Sequence, residues 1–272
     1  MQVAKKELIY LYCVTKTKPR RSSLEEIGVR VYPVYFQGTH AVVSKVSPDE
    51  FSEDNLKKKL ADMTWVEKKI LQHEKVIEEI MKDATVIPFK FGTVFQTEEN
   101  VEKLLRERGL EFKSIILDLE GKEERGIKIY CNLEKFRVSI QNENEKIKEK
   151  EYEIASASKG KAYFLKKRRE ELINNILNER ISESTQDSFD RLKMHSVDAK
   201  INKLLPEEVT QKKERMVLNA AFLISKKRIR EFDNILTYLK TKYAHKGLEF
   251  DWTGPWPPYN FCGFLKGKVK NG

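Results

Sequence analysis

One segment decides the fold of the first half of this chain: Val86-Ile87-Pro88-Phe89-Lys90-Phe91-Gly92-Thr93-Val94-Phe95. Its β-branched and aromatic residues are typical of a strand. Pro88 has no N–H to donate to a neighbouring strand, and a glycine such as Gly92 weakens a strand. We therefore expect this segment at a sheet edge, a bulge or a bend rather than in a central strand.

The patterns on both sides of this segment predict an α+β domain. Strands are expected at residues 7–14, 29–36, 39–46 and 126–133, with Gln37-Gly38 as a tight hairpin turn. Residues 52–81 repeat apolar side chains every three or four positions, which predicts one long helix. Further helices are expected at 22–28, 97–109 and 112–121. This order resembles a βαββαβ ferredoxin-like unit with a decorated crossover, in which helices cover one face of an antiparallel sheet.

The second half of the chain has a different composition. Residues 141–161 are rich in Glu, Lys, Asn, Ser and Gly, which is typical of a solvated helix or a linker. Helical patterns follow at 162–181 and at 229–243, and the apolar residues of the second have the heptad spacing of a coiled coil. These two helices are predicted to form an intramolecular antiparallel pair. The predicted domains are therefore 1–140, a charged linker or helix start at 141–161, and an α+β domain at 162–272 that ends in a Pro/Trp-rich strap.

Positive charge is concentrated in the second half. The formal charge is +10; residues 1–135 carry 24 basic and 23 acidic side chains, and residues 136–272 carry 28 and 19. No uncharged apolar run approaches the roughly 20 residues of a membrane helix, and the first residues do not have the pattern of a signal peptide. The three cysteines are far apart, which argues against disulfides and a metal site. These features predict a cytoplasmic protein without a membrane partner.

No combination of residues indicates catalysis. The four histidines lack Cys, Asp or Glu at metal-ligand spacing, and phosphate-loop, dinucleotide-binding and nucleophile-elbow motifs are absent. His73 lies on the apolar face of the predicted long helix, where the alternatives are a ligand or general base and a hydrogen-bonded core residue; its apolar neighbours favour the second. We therefore expect no enzyme activity, no metal and no cofactor.

RNA or polyanion binding is the alternative function. Tyr10, Tyr12 and residues 90–95 are similar to the base-stacking motifs of RNA recognition modules. About 80 residues and an extra hairpin separate the two motifs, however, and Pro88 argues against a central strand. Basic clusters at 166–169 and 226–228 are either solvated helix faces or contacts for an acidic protein or polyanion.

The segment Trp252-Thr253-Gly254-Pro255-Trp256-Pro257-Pro258-Tyr259-Asn260-Phe261 is the most unusual stretch of the chain. Its three prolines fix φ and remove backbone donors, so we expect neither a regular helix nor a regular strand here, but a segment that wraps over the protein. Rigid aromatic side chains on an extended segment are typical of interface anchors. The alternative is that this strap packs against its own domain.

Two motifs carry a resemblance to a known family. Segment 86–95, with His73-Glu74-x-Val76 upstream, resembles the V-x-P-x-R/K-F-G-T-x-F centre of the gas vesicle protein F/L family (GvpF/GvpL), and residues 248–261 resemble its tGPWPPYxF ending. Tyr10-Leu11-Tyr12 and Gly160-x-Ala162-Tyr163-Phe164-Leu165 extend the resemblance over essentially the whole chain. Lys90 stands where Arg is common, a basic tail at 266–270 follows the motif, and the F or L subgroup stays open.

The resemblance implies a modified ferredoxin-like N-terminal domain, a C-terminal α+β domain with a coiled-coil helix pair, and no enzyme activity. It also implies an accessory protein of the gas vesicle that binds the shell protein GvpA and other accessory proteins during assembly, with no nucleic acid partner. The candidate partner-binding residues belong to the two motifs: Pro88, Phe89, Lys90, Phe91, Gly92, Trp252, Pro255, Trp256, Tyr259 and Phe261.

Overall fold

The computed structural model describes residues 7–19 and 29–263, which form two compact units of mixed α+β structure. One unit comprises the residues up to Glu123 together with those from Pro255, and the other comprises Glu124–Gly254. The predicted helix at 22–28 and the basic tail at 266–270 lie outside the described residues.

The sheet of the first unit is built around strand β1 (Leu8–Thr15). Strands β2 (Val31–Phe36) and β3 (Thr39–Val46) form a hairpin, and the sheet order is β2-β3-β1-β4, where β4 is Val86–Pro88. Strand β5 (Val94–Phe95) also pairs with β1, and all of these pairings are antiparallel. Segment 86–95 thus forms two short strands on the outer side of β1, with a bend between them.

The hairpin between β2 and β3 has the predicted two-residue turn. Phe36 pairs with Thr39, and the intervening Gln37 and Gly38 have φ values of 41° and 82°. Positive φ at both central residues matches the twist of the two strands.

The single helix predicted at 52–81 is wrong, because the structure has two helices in this region and a short third helix just before it. Helices α1 (Pro48–Phe51) and α2 (Glu53–Lys59) precede α3 (Met63–Met81). Asp62 has extended backbone and accepts a hydrogen bond from the backbone N–H of Trp65 at 3.2 Å, so it starts a new helix as an N-cap. The apolar periodicity continues across Asp62 and conceals this cap.

Helices cover the first sheet. All eight side chains of β1 are buried, which requires cover on both faces rather than on one face as the element order predicted. Residues Val76 and Ile77 of α3 share a core with Tyr10 and Tyr12 of β1. Helix α4 (Glu98–Leu119) also packs on this sheet and is continuous through Gly109, where the sequence predicted two helices.

The second unit contains the other sheet. Its elements are β6 (Lys122–Cys131), α5 (Leu133–Glu143), α6 (Glu145–Ser156), α7 (Lys159–Met194), β7 (Asp198–Ile201), α8 (Glu207–Thr210), β8 (Arg215–Ser225), α9 (Ile229–Ala244) and β9 (Leu248–Trp256). The sheet order is β7-β8-β6-β9. Ile129 of β6, Phe222 of β8, Phe189 of α7 and Phe232 of α9 pack in one core.

The two units divide between residues 123 and 124, earlier than the predicted boundary at 140. Strand β6 lies between β8 and β9, so the strand that the sequence assigned to the first domain belongs to the second sheet. The charged region 141–161 consists mainly of helices rather than linker, and residues 255–263 belong to the first unit. Local composition cannot indicate that β6 pairs with β8, because more than 80 residues separate these two strands.

Helix α9 contacts the last part of α7, which lies beyond residues 162–181, the partner that the sequence predicts. The Asp187 carboxylate of α7 accepts hydrogen bonds from Lys242 Nζ (2.8 Å), the Tyr243 hydroxyl (2.7 Å) and Arg191 Nε (2.7 Å). The first part of α7 instead contacts α5 and α6 through the ion pairs Arg137–Glu170 and Arg169–Glu151. Helices α6 and α7 therefore form a helical hairpin.

Candidate partner-binding surfaces

The two sequence motifs meet at His73 within the first unit. This histidine lies on α3 and is only 1% exposed. Its Nδ1 is 2.9 Å from the Tyr10 hydroxyl, and its Nε2 is 3.0 Å from the Phe89 carbonyl oxygen and 3.1 Å from the Tyr259 hydroxyl. Tyr10 belongs to β1, Phe89 to the 86–95 segment and Tyr259 to the strap, so one side chain joins three distant parts of the sequence.

The partners of His73 determine its tautomer. A carbonyl oxygen only accepts, so Nε2 must carry the proton that is donated to Phe89. The Tyr10 oxygen accepts the backbone N–H of Gly92 at 3.0 Å, which leaves its own proton free to be donated to Nδ1. The Tyr259 hydroxyl donates to the Glu74 carboxylate at 2.9 Å. Every donor in this network therefore has an acceptor when His73 is neutral.

Burial fixes the charge states of this network. Desolvation lowers the pKa of His73 to about 4, although the hydrogen bond to Phe89 acts in the opposite direction. Burial also raises the pKa of Tyr10 and of Tyr259, and the carboxylate of Glu74 adds to the effect on Tyr259. At neutral pH the histidine and both tyrosines are uncharged, which is the state of a structural hydrogen-bond network.

The sequence predicts no regular strand in the strap, but its residues 252–256 form the end of β9, and only the residues after them are irregular and pack within the first unit. Pro257 and Pro258 are buried, and the Cys262 thiol donates to the Pro258 carbonyl oxygen at 3.0 Å. The hydrogen bonds of Tyr259 to His73 and Glu74 fix the middle of the strap on α3. Residues 257–259 and 262 therefore pack within their own chain, but the core they join is that of the first unit and not that of the predicted 162–272 domain.

The candidate residues of segment 86–95 differ in their accessibility. Pro88 and Phe89 are buried, and Phe89 lies edge-on to Phe112 of α4 with ring centroids 6.2 Å apart. Phe91 and Gly92 are half-buried, and the Phe91 ring packs edge-on against His73. Only Lys90 is exposed among these five residues.

The candidate residues around the strap are more accessible. Trp252 is 49% exposed and Trp256 39% exposed, and Pro255 is exposed between them. The Arg125 guanidinium lies over the Trp252 ring at 5.3 Å from its centroid, which orients that ring. Tyr259 and Phe261 are half-buried. Lys90, Trp252, Pro255 and Trp256 are therefore the exposed residues among the ten candidates.

The geometry does not support base stacking by the predicted aromatic side chains. Tyr10 is 2% exposed and Tyr12 is 4% exposed. The Tyr12 ring stacks on His73 with centroids 5.6 Å apart, and its hydroxyl hydrogen-bonds with Ser44 Oγ at 3.1 Å. Rings that stack on nucleotides must lie on an open sheet face, whereas these rings face α3.

A cavity of about 310 Å³ lies beside this network and is lined by Tyr10, Ser44, Phe51, Lys69 and His73, among others. Two of its charged lining residues already bind each other, because Glu50 accepts hydrogen bonds from both Lys69 Nζ (2.9 Å) and Trp65 Nε1 (3.0 Å). In the described part of the chain, no group of three or more His, Cys, Asp or Glu side chains could hold a metal ion. Nor does any helix within residues 7–19 and 29–263 combine the length and apolar character needed to cross a bilayer.

Sequence reasoning missed Glu74, the acceptor for Tyr259, and Ser44, the partner of Tyr12. Glu74 follows His73 directly in the first motif, and this position could have indicated that it takes part in the same network. Ser44 gave no such signal, because its role depends on the pairing of β3 with β1.

Comparisons with known proteins give a consistent result along the chain. The family model described as "Gas vesicle synthesis protein GvpL/GvpF" matches residues 8–263. Gas vesicle protein L1 of Halobacterium salinarum is 23% identical over 260 residues, covering 93% of this chain and 89% of the relative. Gas vesicle protein F of Haloferax mediterranei is 25% identical over 258 residues, covering 93% of this chain and 92% of the relative.

A solved structure has the same fold. The crystal structure of the gas vesicle protein GvpF from Anabaena sp. PCC7120 superposes with a TM-score of 0.68 at 21% identity, covering 94% of this chain and 98% of that one. The likeness of fold therefore extends over both units.

Proposed function

Because this chain belongs to the GvpL/GvpF family of gas vesicle synthesis proteins, we propose that it binds the shell protein GvpA noncovalently and delivers or nucleates it during vesicle assembly. The family match over residues 8–263 is the observation that carries this proposal. A small, very apolar shell subunit aggregates unless a partner covers its exposed strand edges or apolar faces before assembly.

The proposed role is that of a non-enzymatic accessory protein located at the gas vesicle and in the cytoplasm, with other accessory proteins as further partners. The hydrogen-bond network of His73 supports it, because the histidine and both tyrosines are buried and uncharged with their hydrogen-bonding groups used inside the unit. Buried polar side chains that form hydrogen bonds with one another inside a fold are typical of a structural role.

The finer architecture is part of the same proposal. We infer a modified ferredoxin-like arrangement for the first unit, since a βαββαβ chain whose neighbouring strands are antiparallel has the order β2-β3-β1-β4. The α6–α7 hairpin is the region that supports a coiled-coil arm.

Co-purification of the tagged, full-length chain with GvpA tests the proposed function. The wild-type chain is expected to retain GvpA, and Trp252→Ala and Trp256→Ala, made separately, are expected to show which exposed motif residue contributes. Leu110→Ala is the matched control, because Leu110 is an exposed apolar residue of α4 outside both motifs. Failure of the intact wild-type chain to retain GvpA overturns the proposal.

A further inference from the structure

We propose that the start of helix α7 binds an acidic amphipathic helix of a partner protein. Residues 159–169, the first eleven of α7, carry six cations and no carboxylate. Within them, Tyr163 and Phe164 are each 69% exposed. We refer to Lys161, Tyr163, Phe164, Lys167 and Arg168 as the tip surface. This inference goes beyond GvpA binding and does not depend on it.

Within the residues that the structure describes, the cations of the tip surface form no ion pairs. Arg169 differs from its neighbours, because it forms ion pairs with Glu151 of α6 and with Glu170. Among residues 7–19 and 29–263, no carboxylate forms an ion pair with Lys161, Lys167 or Arg168. The positive charge of these three side chains is therefore available to an external partner.

Local stability does not explain this arrangement. Cations at the start of a helix oppose its macrodipole, and α7 has no acidic residue in its first turn. Ser158 precedes the helix without a side-chain capping hydrogen bond. Two exposed aromatic rings add a further cost in water. When several local rules are broken together in one short segment, a binding role is the physical reason that accounts for them.

The shape of the surface indicates what it binds. A shallow cavity of about 390 Å³ is lined by Lys161, Phe164, Leu165, Lys167, Arg168 and Glu171. Positions 161, 164, 165 and 168 lie on one face of a helix, because they are spaced by three, one and three residues. The rings of Tyr163 and Phe164 meet edge to face at 5.8 Å. Apolar side chains flanked by cations complement a helix with apolar anchors and flanking carboxylates.

Charge on the neighbouring helix favours a protein over a polynucleotide or a bilayer. Helix α6 contains four glutamates and three lysines, so it does not extend the positive surface. A polynucleotide needs a longer positively charged groove that binds successive phosphates. A bilayer-binding helix needs a continuous apolar face. The apolar side chains that follow the tip surface on α7, Ile173 and Leu177, are buried in the core of their own unit.

The test measures binding of a fluorescein-labelled peptide, with glutamates on one helical face and leucine and phenylalanine on the other, to the full-length chain by anisotropy. The double variant Lys167→Glu/Arg168→Glu is expected to weaken binding about tenfold or more near 0.15 M NaCl. Phe164→Ala is expected to weaken it about fivefold. The matched controls are Lys226→Glu/Lys227→Glu, which changes the net charge equally at another basic cluster, and Leu110→Ala; each is expected to change affinity less than about twofold.

Each of several outcomes overturns the proposal. One is an equal loss of peptide affinity in the two double variants. Another is equal affinity for a scrambled peptide of the same composition. The third is tighter binding of poly(U) RNA or phosphatidylserine vesicles than of the acidic peptide. Circular dichroism checks that each variant is folded, and Lys167→Gln makes the same test with a milder change. Co-purification of GvpA with Lys167→Glu/Arg168→Glu is expected to be unchanged, so failure of this inference is distinguishable from failure of the proposed function.

Discussion

His73 is held by partners that require its neutral form. If the ring were protonated, Nδ1 would also carry a hydrogen and would face the hydroxyl of Tyr10. The Tyr10 oxygen already accepts a hydrogen bond from the Gly92 N–H, so the hydroxyl proton of Tyr10 would have no acceptor. The network therefore couples the fold of the first unit to the protonation of one side chain.

Acidification is expected to destabilise the first unit through this histidine. The folded-state pKa of His73 is about 4, and its ordinary value is 6.5. As pH falls from 6.5 towards 4, the unfolded chain takes up a proton that the folded chain does not, so the free energy of unfolding falls by up to ~3 kcal/mol. Urea unfolding at about pH 7, 6 and 5 measures this change.

The control for this prediction is His73→Gln. Burial raises the pKa of Glu74 above its ordinary value of 4.5. The effect of this carboxyl group on stability is opposite to that of His73, because its contribution to stability is lost as the pH rises above 4.5. His73→Gln keeps Glu74, and the stability advantage of wild type over the variant isolates the histidine. That advantage should shrink as pH falls; a constant advantage would contradict the prediction.

Two glycines are expected to respond to alanine with opposite signs. Gly92 has φ of +81°, and an added Cβ would lie 3.2 Å from Leu56 Cδ2, so Gly92→Ala should lower the free energy of unfolding by ~1–2 kcal/mol. Gly109 lies inside α4, where an added Cβ meets nothing within 4 Å, and Gly109→Ala should raise it by ~0.5–1 kcal/mol. Urea unfolding compares both with wild type; a change of the same sign in both would contradict this account.

The elements that the sequence predicted well are those with local causes. Gln37-Gly38 specifies its turn, and Pro88 excludes its strand from the middle of the sheet. Gly109 predicts a helix end, yet α4 continues because Leu105 and Phe112 on either side of it are buried. His73 was recognisable as a core residue, but its partners Tyr10 and Tyr259 lie 63 and 186 residues away, which no local pattern can indicate.

Helix α7 is expected to become more stable when Lys161 is replaced. Ser158 is its N-cap and Lys161 its third residue, so Lys161→Glu creates a capping box and places a negative charge near the positive end of the helix dipole. Thermal unfolding should show a gain of ~0.5–1 kcal/mol. Lys161→Gln is the matched control, because it can form the box without the charge.

The same substitution is expected to weaken binding of the acidic peptide, since Lys161 lines the tip surface. Stability and binding would then change in opposite directions at one residue, as expected where a binding site has been kept at a cost to the fold. A loss of stability in Lys161→Glu would show that the start of α7 is held by contacts other than its cap and dipole.

At the scale of the molecule, the first unit includes residues that follow the second unit in the sequence. Strand β9 belongs to the second unit as far as Gly254, and the chain from Pro255 belongs to the first. Tyr259 then supplies the hydrogen bonds to His73 and Glu74. The sequence predicted an irregular strap, whereas residues 252–256 continue strand β9 and only the residues after them are irregular. Which core those residues join is a tertiary property that composition does not encode.

Removal of the residues that follow Gly254 is therefore expected to loosen the first unit. A chain that ends at Gly254 lacks buried Pro257, Pro258 and Cys262, and it leaves the Glu74 carboxylate without its tyrosine donor. Hydrogen exchange measured by mass spectrometry should show amides of β1 and α3 exchanging about tenfold faster or more. A chain that ends at Gly263 is the control, because it keeps Pro257 to Cys262 and removes only the residues after Gly263. Equal exchange in the two truncated chains would mean that the core around His73 is stable without residues 255–263.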